Sequence, residues 1–232
     1  MNTVRVVVLT TNGPAAIERI TEEDPEVSSV VCLSGKAVAL PVSGAYDAFV
    51  REPTGVVQRH FGHRAYRVDV DAMIAEGYSW QLGFLAAHAL DAVGRLAGKG
   101  EAADRVIWLT GEVDRDLDVL AVDHLADKLH RAADARVDAP DAEAPLSIYV
   151  PAPNRGEIDD DWSARCGLAP DACRLLAVET INEVLRDLEL DTLATRTAAS
   201  DSLVTGTRRR PLLWGAGTLT AATIAGMIFL AG

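Results

Sequence analysis

Cysteine, lysine, aromatic residues and a basic charge balance are all scarce in this chain of 232 residues, and each shortage excludes something. Three cysteines, Cys32, Cys166 and Cys173, form no even framework, so a secreted disulfide scaffold is excluded; the seven-residue step from Cys166 to Cys173 is not a zinc spacing. Only three of the 22 basic residues are lysines, namely Lys36, Lys99 and Lys128. The formal charge is −12 and pI about 4.8, which repels phosphate and argues against nucleic acid as a partner. The N-terminal run around Val6–Leu9 is too short for a signal-peptide core and reads as a strand. No Gly-rich phosphate loop occurs, and no cofactor is implied.

What is present divides the chain into three parts. Hydrophobic residues make up 49%, enough for a globular core. Pro211–Gly232 carries no charge over 22 residues, which as a helix would cross a bilayer core of about 30 Å. Arg208–Arg210 precede it and Trp214 falls at an interfacial position, so the reading is a C-terminal transmembrane anchor with the main domain in the cytoplasm. Setting those three arginines aside leaves −15 on residues 1–207. Residues 1–191 are expected to form the domain, 192–207 a linker rich in Thr, Ala and Ser, and 208–232 the basic flank and membrane helix.

Within the domain, strands are expected at Val4–Thr10, Val27–Leu33, Ala37–Val42, Tyr66–Val70, Val106–Leu109, Val119–Val122 and Leu146–Val150. Helices are expected at Ala15–Thr21, from about Trp80 to Gly94, from about Asp123, and over Glu179–Leu188. Asn12-Gly13-Pro14 reads as a turn; Ala45–Val50 is ambiguous. Strands alternating with helices give an α/β (α+β) class. Asp69 and Asp71 alternate with valines and read as an exposed strand face. His60 and His63 read as a polar loop rather than a metal pair, His88 and His124 as structural, and Asp159–Asp161 as a solvated turn.

Two segments carry chemistry. Glu76-Gly77-Tyr78-Ser79 precedes a helix, where orphan N–H groups can cap the helix or stabilise an oxyanion; Ser79 is either an N-cap or a nucleophile. Thr110-Gly111-Glu112 is followed by Lys128, set between Leu125 and Leu129 on an apolar helix face. A buried Lys can lose its proton near neutrality and act as a base, whereas a surface Lys would snorkel.

In this order the segments resemble the proteolytic domain of Lon-family proteases. Glu76-Gly77-Tyr78-Ser79 is similar to the family's Asp-Gly-Pro-Ser, Thr110-Gly111-Glu112 to its Thr-Gly-Glu, and Lys128-Leu129 to the end of its Lys-x-Lys-Leu. Pro151 with Asn154 resembles its strand ending in Pro and Asn, and Val178 to Leu185 its closing Val-x-x-x-x-Glu-Val-Leu. The resemblance covers about residues 60–190. It implies a Lon-like fold, an endopeptidase acting on protein or peptide substrates, and a dyad of Ser79 as nucleophile and Lys128 as base. It casts Thr110 as the residue that positions the Lys amine, with Gly77 and Glu112 in support. It also implies a homo-oligomer and, since no ATPase module is present, a separate ATPase as partner. The family's small residues after Ser are Trp80-Gln81 here. An ungapped reading of the helix sets Gln81, not Ser79, opposite the nucleophile. A catalytically inactive Lon-like domain that binds or assembles proteins at the membrane is the alternative.

Overall fold

In the computed structural model, which describes residues 2–136, 141, 143–158, 162 and 173–193, the chain builds one seven-stranded mixed sheet with helices on both faces. All of these residues belong to one unit, Met1–Arg196. The strands are β1 (Val4–Thr10), β2 (Gly13–Glu22), β3 (Val30–Leu33), β4 (Tyr66–Val70), β5 (Arg105–Leu109), β8 (Leu146–Pro151) and β9 (Cys173–Val178). A separate two-stranded hairpin, β6 (Glu112–Val113) and β7 (Val119–Leu120), sits between β5 and β8 in the chain. The sheet order is β3-β4-β2-β1-β5-β8-β9. β2 alone runs antiparallel to its neighbours β1 and β4; the other adjacent pairs are parallel. The carboxyl ends of β1, β5 and β8 therefore lie at one end of the sheet.

Strand alternation divides the core into two layers. Val4, Val6, Val8, Ile107, Leu109 and Tyr149 pack with α1 (Ser43–Val50), α2 (Val57–Phe61), α3 (Gln81–Ala92) and α5 (Ile181–Asp187). Leu9, Val106, Trp108, Leu146, Ile148 and Val150 pack with α4 (Leu125–Arg136). Successive residues of β5 thus face opposite layers, as a strand period of two requires. α3 buries ten consecutive residues, Gln81–Leu90, so it is a central helix rather than an amphipathic surface one.

Three sequence expectations are corrected. Ala15–Thr21 is not a helix but part of β2. Ala15 and Ile17 are buried at the strand step of two, and a bulge between Ile17 and Arg19 then shifts the period, so that Ile20, three residues on, is buried too, a step that a helix also gives. Ala37–Val42 is not a strand: it makes one isolated bridge, Cys32 to Ala39, and then sends Leu40 and Val42 into the core on either side of Pro41. Asp69 is not exposed. It is buried, accepting hydrogen bonds from Arg19 at 2.6 and 3.0 Å and from Arg67 at 2.9 Å. β9, at the sheet edge, buries only Val178 fully and leaves the rest half-buried or exposed, a pattern too weak to be legible in sequence. Ala45–Val50 resolves into α1. No helix of the described residues is long and apolar enough to cross a membrane. Pro211–Gly232, Arg208–Arg210, the linker beyond Leu193, Cys166 and Asp159–Asp161 lie outside the described residues.

Candidate active site

Ser79 and Lys128 reach the same place from opposite layers. α3 enters on one face of the sheet and α4 lies on the other, and both ends meet over the carboxyl ends of β1 and β5. A cavity of about 290 Å³ opens there. Ser79 and Lys128 both line it, with Thr10 and Thr11 at the end of β1, the loop Ile74–Tyr78 on one wall and Ala121–His124 on the other. Ligands of open α/β sheets are commonly held at such strand ends.

Backbone bonds lock the two chemistry-bearing segments together. The Gly111 N–H donates to the Ser79 carbonyl at 2.8 Å, and the Leu82 N–H donates to the Gly111 carbonyl at 3.0 Å. Gly111 permits this approach because a Cβ there would lie 2.8 Å from Val119 Cγ1 and 3.1 Å from Leu82 Cδ2. Gly77 turns the chain into Ser79 with φ of 111°, a conformation that favours glycine.

Ser79 is not the N-cap. Trp80 occupies that position, with no side-chain cap bond. The Trp80 indole donates to the Gly77 carbonyl at 2.6 Å and packs edge-on against Tyr46, Phe49 and Phe84. Gln81 is buried as the first residue of α3, and its carboxamide oxygen accepts from the Val113 N–H at 2.9 Å. It does not line the cavity, so of the two aligned candidates it is Ser79 that faces Lys128's cavity.

Lys128 is 4% exposed, which excludes a snorkelling surface lysine. Its Nζ lies 3.5 Å from the Thr110 hydroxyl, and Thr110 is fully buried at the end of β5. Burial pushes the Lys128 pKa down, opposed in part by the Asp123 carboxylate. Among the described residues no hydrogen bond ties Ser79 to Lys128. Asn154 braces the cavity wall: its side chain accepts from the Val122 N–H at 2.9 Å and donates to the Val122 carbonyl at 2.8 Å. The β6–β7 hairpin is fastened to the start of α5 by Val119 N–H to the Glu179 carbonyl, 2.7 Å, and Ile181 N–H to the Leu117 carbonyl, 3.1 Å.

Of the remaining candidates only His124 touches this cavity. His63 bonds the Glu23 carbonyl at 2.8 Å. His88 is buried on α3 against the Tyr46 hydroxyl at 2.8 Å. His124 stands at the cavity wall, 4.0 Å from Asp127. Among the described residues no group of three His, Cys, Asp or Glu could hold a metal ion. A larger cavity of about 650 Å³ lies against α4 and β1–β2, outside the predicted set; its Arg5 already pairs with Asp141 at 2.9 Å.

The fold and this cavity define a mixed α/β protein with a buried, weakly partnered lysine facing a serine-lined cleft. Compared with protein-family models and with curated proteins, the chain matches none of either.

Proposed function

We propose that the chain is a Lon-like serine peptidase with a Ser79–Lys128 dyad, held at the membrane by residues 211–232 with its domain in the cytoplasm. The observation that carries this reading is the convergence of Ser79, from the loop that enters α3, and a 4% exposed Lys128, from α4 on the opposite sheet face, on one cavity. The ordered motifs that accompany them support it.

The chemistry follows from the environment. Burial favours the neutral Lys128 amine, which accepts the Ser79 hydroxyl proton as Oγ attacks a peptide carbonyl. Backbone N–H groups at the entry to α3 are the donors available to the resulting oxyanion. Collapse expels the amine, which takes the proton back from Lys128 and leaves an acyl-serine. Water then attacks that ester, with Lys128 again the base. Thr110 orients the amine throughout. In this reading the resemblance implies an ATPase partner for the unfolding of folded substrates and self-association into a ring.

A second reading is an inactive Lon-like module that binds proteins in the same cavity. It draws on Trp80-Gln81 in place of small residues and on the missing Ser79–Lys128 bond. Cleavage of unfolded casein by the full chain in detergent separates the two. Ser79→Ala and Lys128→Ala should each abolish cleavage with the circular dichroism spectrum unchanged. Cleavage surviving in either variant overturns the dyad. For the anchor, deletion of 208–232 should release the protein from the membrane pellet.

A further inference from the structure

The larger cavity, about 650 Å³, lies on the α4 face of the sheet and owes its size to small residues. Ala16, Val7 and Trp108 are register partners across β2, β1 and β5, so they form one row on that face. α4 brings Ala132 and Ala135 to the same space. Short side chains thus meet where the helix passes over β1 and β2, and the layers do not close. Close-packed interiors leave few voids larger than a water molecule, whereas ligand pockets commonly run from about 300 to 1,000 Å³.

The charged groups around this space are engaged with one another and with the backbone. Arg5 donates to the Asp141 carboxylate at 2.9 Å and to the Ala97 and Gly98 carbonyls at 3.0 and 2.8 Å. The Glu101 carboxylate accepts from the Gly98 N–H at 2.7 Å, and Asp71 accepts from the Ala16 N–H at 2.7 Å. Arg136 donates to the Ala144 carbonyl at 2.7 Å. An ion entering here would shed its water and find these partners already taken, a loss that a neutral molecule does not suffer.

The floor supplies the second observation. Trp108 is 3% exposed, and among the described residues its indole N–H meets no acceptor. The nitrogen is not sealed within the core, and the cavity is the space that Trp108 borders. An indole N–H can only donate, and native interiors seldom leave such a donor unpaired. The strand row beside it is flat and apolar, which suits a ring laid along the sheet.

We propose that this cavity is a second ligand site, built for a small, flat, uncharged and mainly apolar molecule that presents one hydrogen-bond acceptor to the Trp108 indole. The site stands apart from the peptidase reading, because it shares no lining residue with the cavity of Ser79 and Lys128.

The test uses the full chain at fixed detergent, so that partition into micelles is common to every protein compared. The probes are indanone, a flat bicycle with one carbonyl acceptor, and indane, the same bicycle without it. Aminoindane and indane carboxylate are the charged analogues. The readout is the Trp108 indole N–H cross-peak in a proton–nitrogen correlation spectrum, identified by its loss in Trp108→Phe. Indanone should move that signal downfield and saturate, with Kd below about 1 mM, as a ligand of its size allows. Indane and both charged analogues should bind more weakly, indane by roughly fivefold or more, the weight of one neutral hydrogen bond. Trp108→Phe, followed by calorimetry, should bring indanone down to the affinity of indane. Ala135→Phe, at an exposed position that the fold tolerates, should abolish binding of both, and Ser79→Ala should change neither. Equal affinity for indanone and indane on the unaltered chain overturns the proposal without any variant. So does tighter binding of a charged analogue, binding that survives Ala135→Phe, or the absence of a saturable shift.

Discussion

Lys128 Nζ faces the hydroxyl of Thr110 at 3.5 Å, and both residues are almost wholly removed from solvent. Such an amine is expensive to keep charged, and among the described residues its one hydrogen-bond partner is the neutral Thr110 hydroxyl. Thr110→Val removes that partner while preserving shape. Peptidase kcat/KM should fall by on the order of 10- to 100-fold, the equivalent of about 1–3 kcal/mol for a buried group left unpaired. Thr110→Ser keeps the hydroxyl and should retain most activity. A valine variant with undiminished turnover would remove Thr110 from the site.

Lys128→Met should separate activity from stability. Methionine matches the stem of lysine without its charge, so turnover should vanish while the thermal midpoint holds or rises, by about 1 kcal/mol of added stability. The pH behaviour is linked. The folded pKa is depressed below the unfolded value of 10.5, so the folded protein binds fewer protons between the two. Stability should therefore rise with pH through that window in the wild type and lose this component in Lys128→Met. Activity should climb with pH along a limb lying below 10.5, because the neutral amine is the base. Differential scanning calorimetry and a pH–rate profile check both.

Gly111→Ala should disturb the join between the two motifs. The added methyl would sit 2.8 Å from Val119 and 3.1 Å from Leu82, neither of which has room to retreat in the core. A loss of about 1–3 kcal/mol is expected, measurable by urea denaturation. Activity at temperatures where the variant stays folded should fall as well, because Thr110 precedes this residue. Unchanged stability would mean that the β6–β7 hairpin shifts freely.

His88 should make the fold acid-sensitive. It is buried and its pKa is lowered to about 3 by desolvation, against 6.5 unfolded. Between these values the unfolded chain binds the extra proton, so stability is full above 6.5 and is lost as pH falls toward 3, by up to about 1.4 kcal/mol per pH unit. A His88→Asn variant should lose less stability than the wild type between pH 7 and 4.5, although it starts lower because the Tyr46 hydroxyl loses its partner. Parallel pH dependences in urea titrations would refute this.

Several elements are legible in the sequence alone. Tyr66–Val70 is a strand with those bounds because its alternation is unbroken. α3 and α4 show in their apolar spacing, and the Ser79 segment, Thr110-Gly111-Glu112 and Lys128 stand out as motifs in a set order along the chain, whereas the backbone join of Gly111 to Ser79 does not. β2 is not legible as a strand because a bulge breaks its period, and the burial of Asp69 is not legible because Arg19 and Arg67 close over it only in the folded sheet.

The sequence by itself determined the acidic balance, the scarcity of lysine, the alternation of strands and helices, and which short segments could carry chemistry. These depend on residue type and local spacing. Tertiary structure decided what local spacing cannot encode. It carried α3 and α4 to opposite faces of one sheet, so that Ser79 and Lys128, 49 positions apart in the chain, line one cavity. It turned the Gln81 carboxamide to the Val113 N–H, away from that cavity, and brought the Asp123 carboxylate to its wall beside Lys128. Burial, and with it the depressed pKa of Lys128, arises only when the layers close around a side chain.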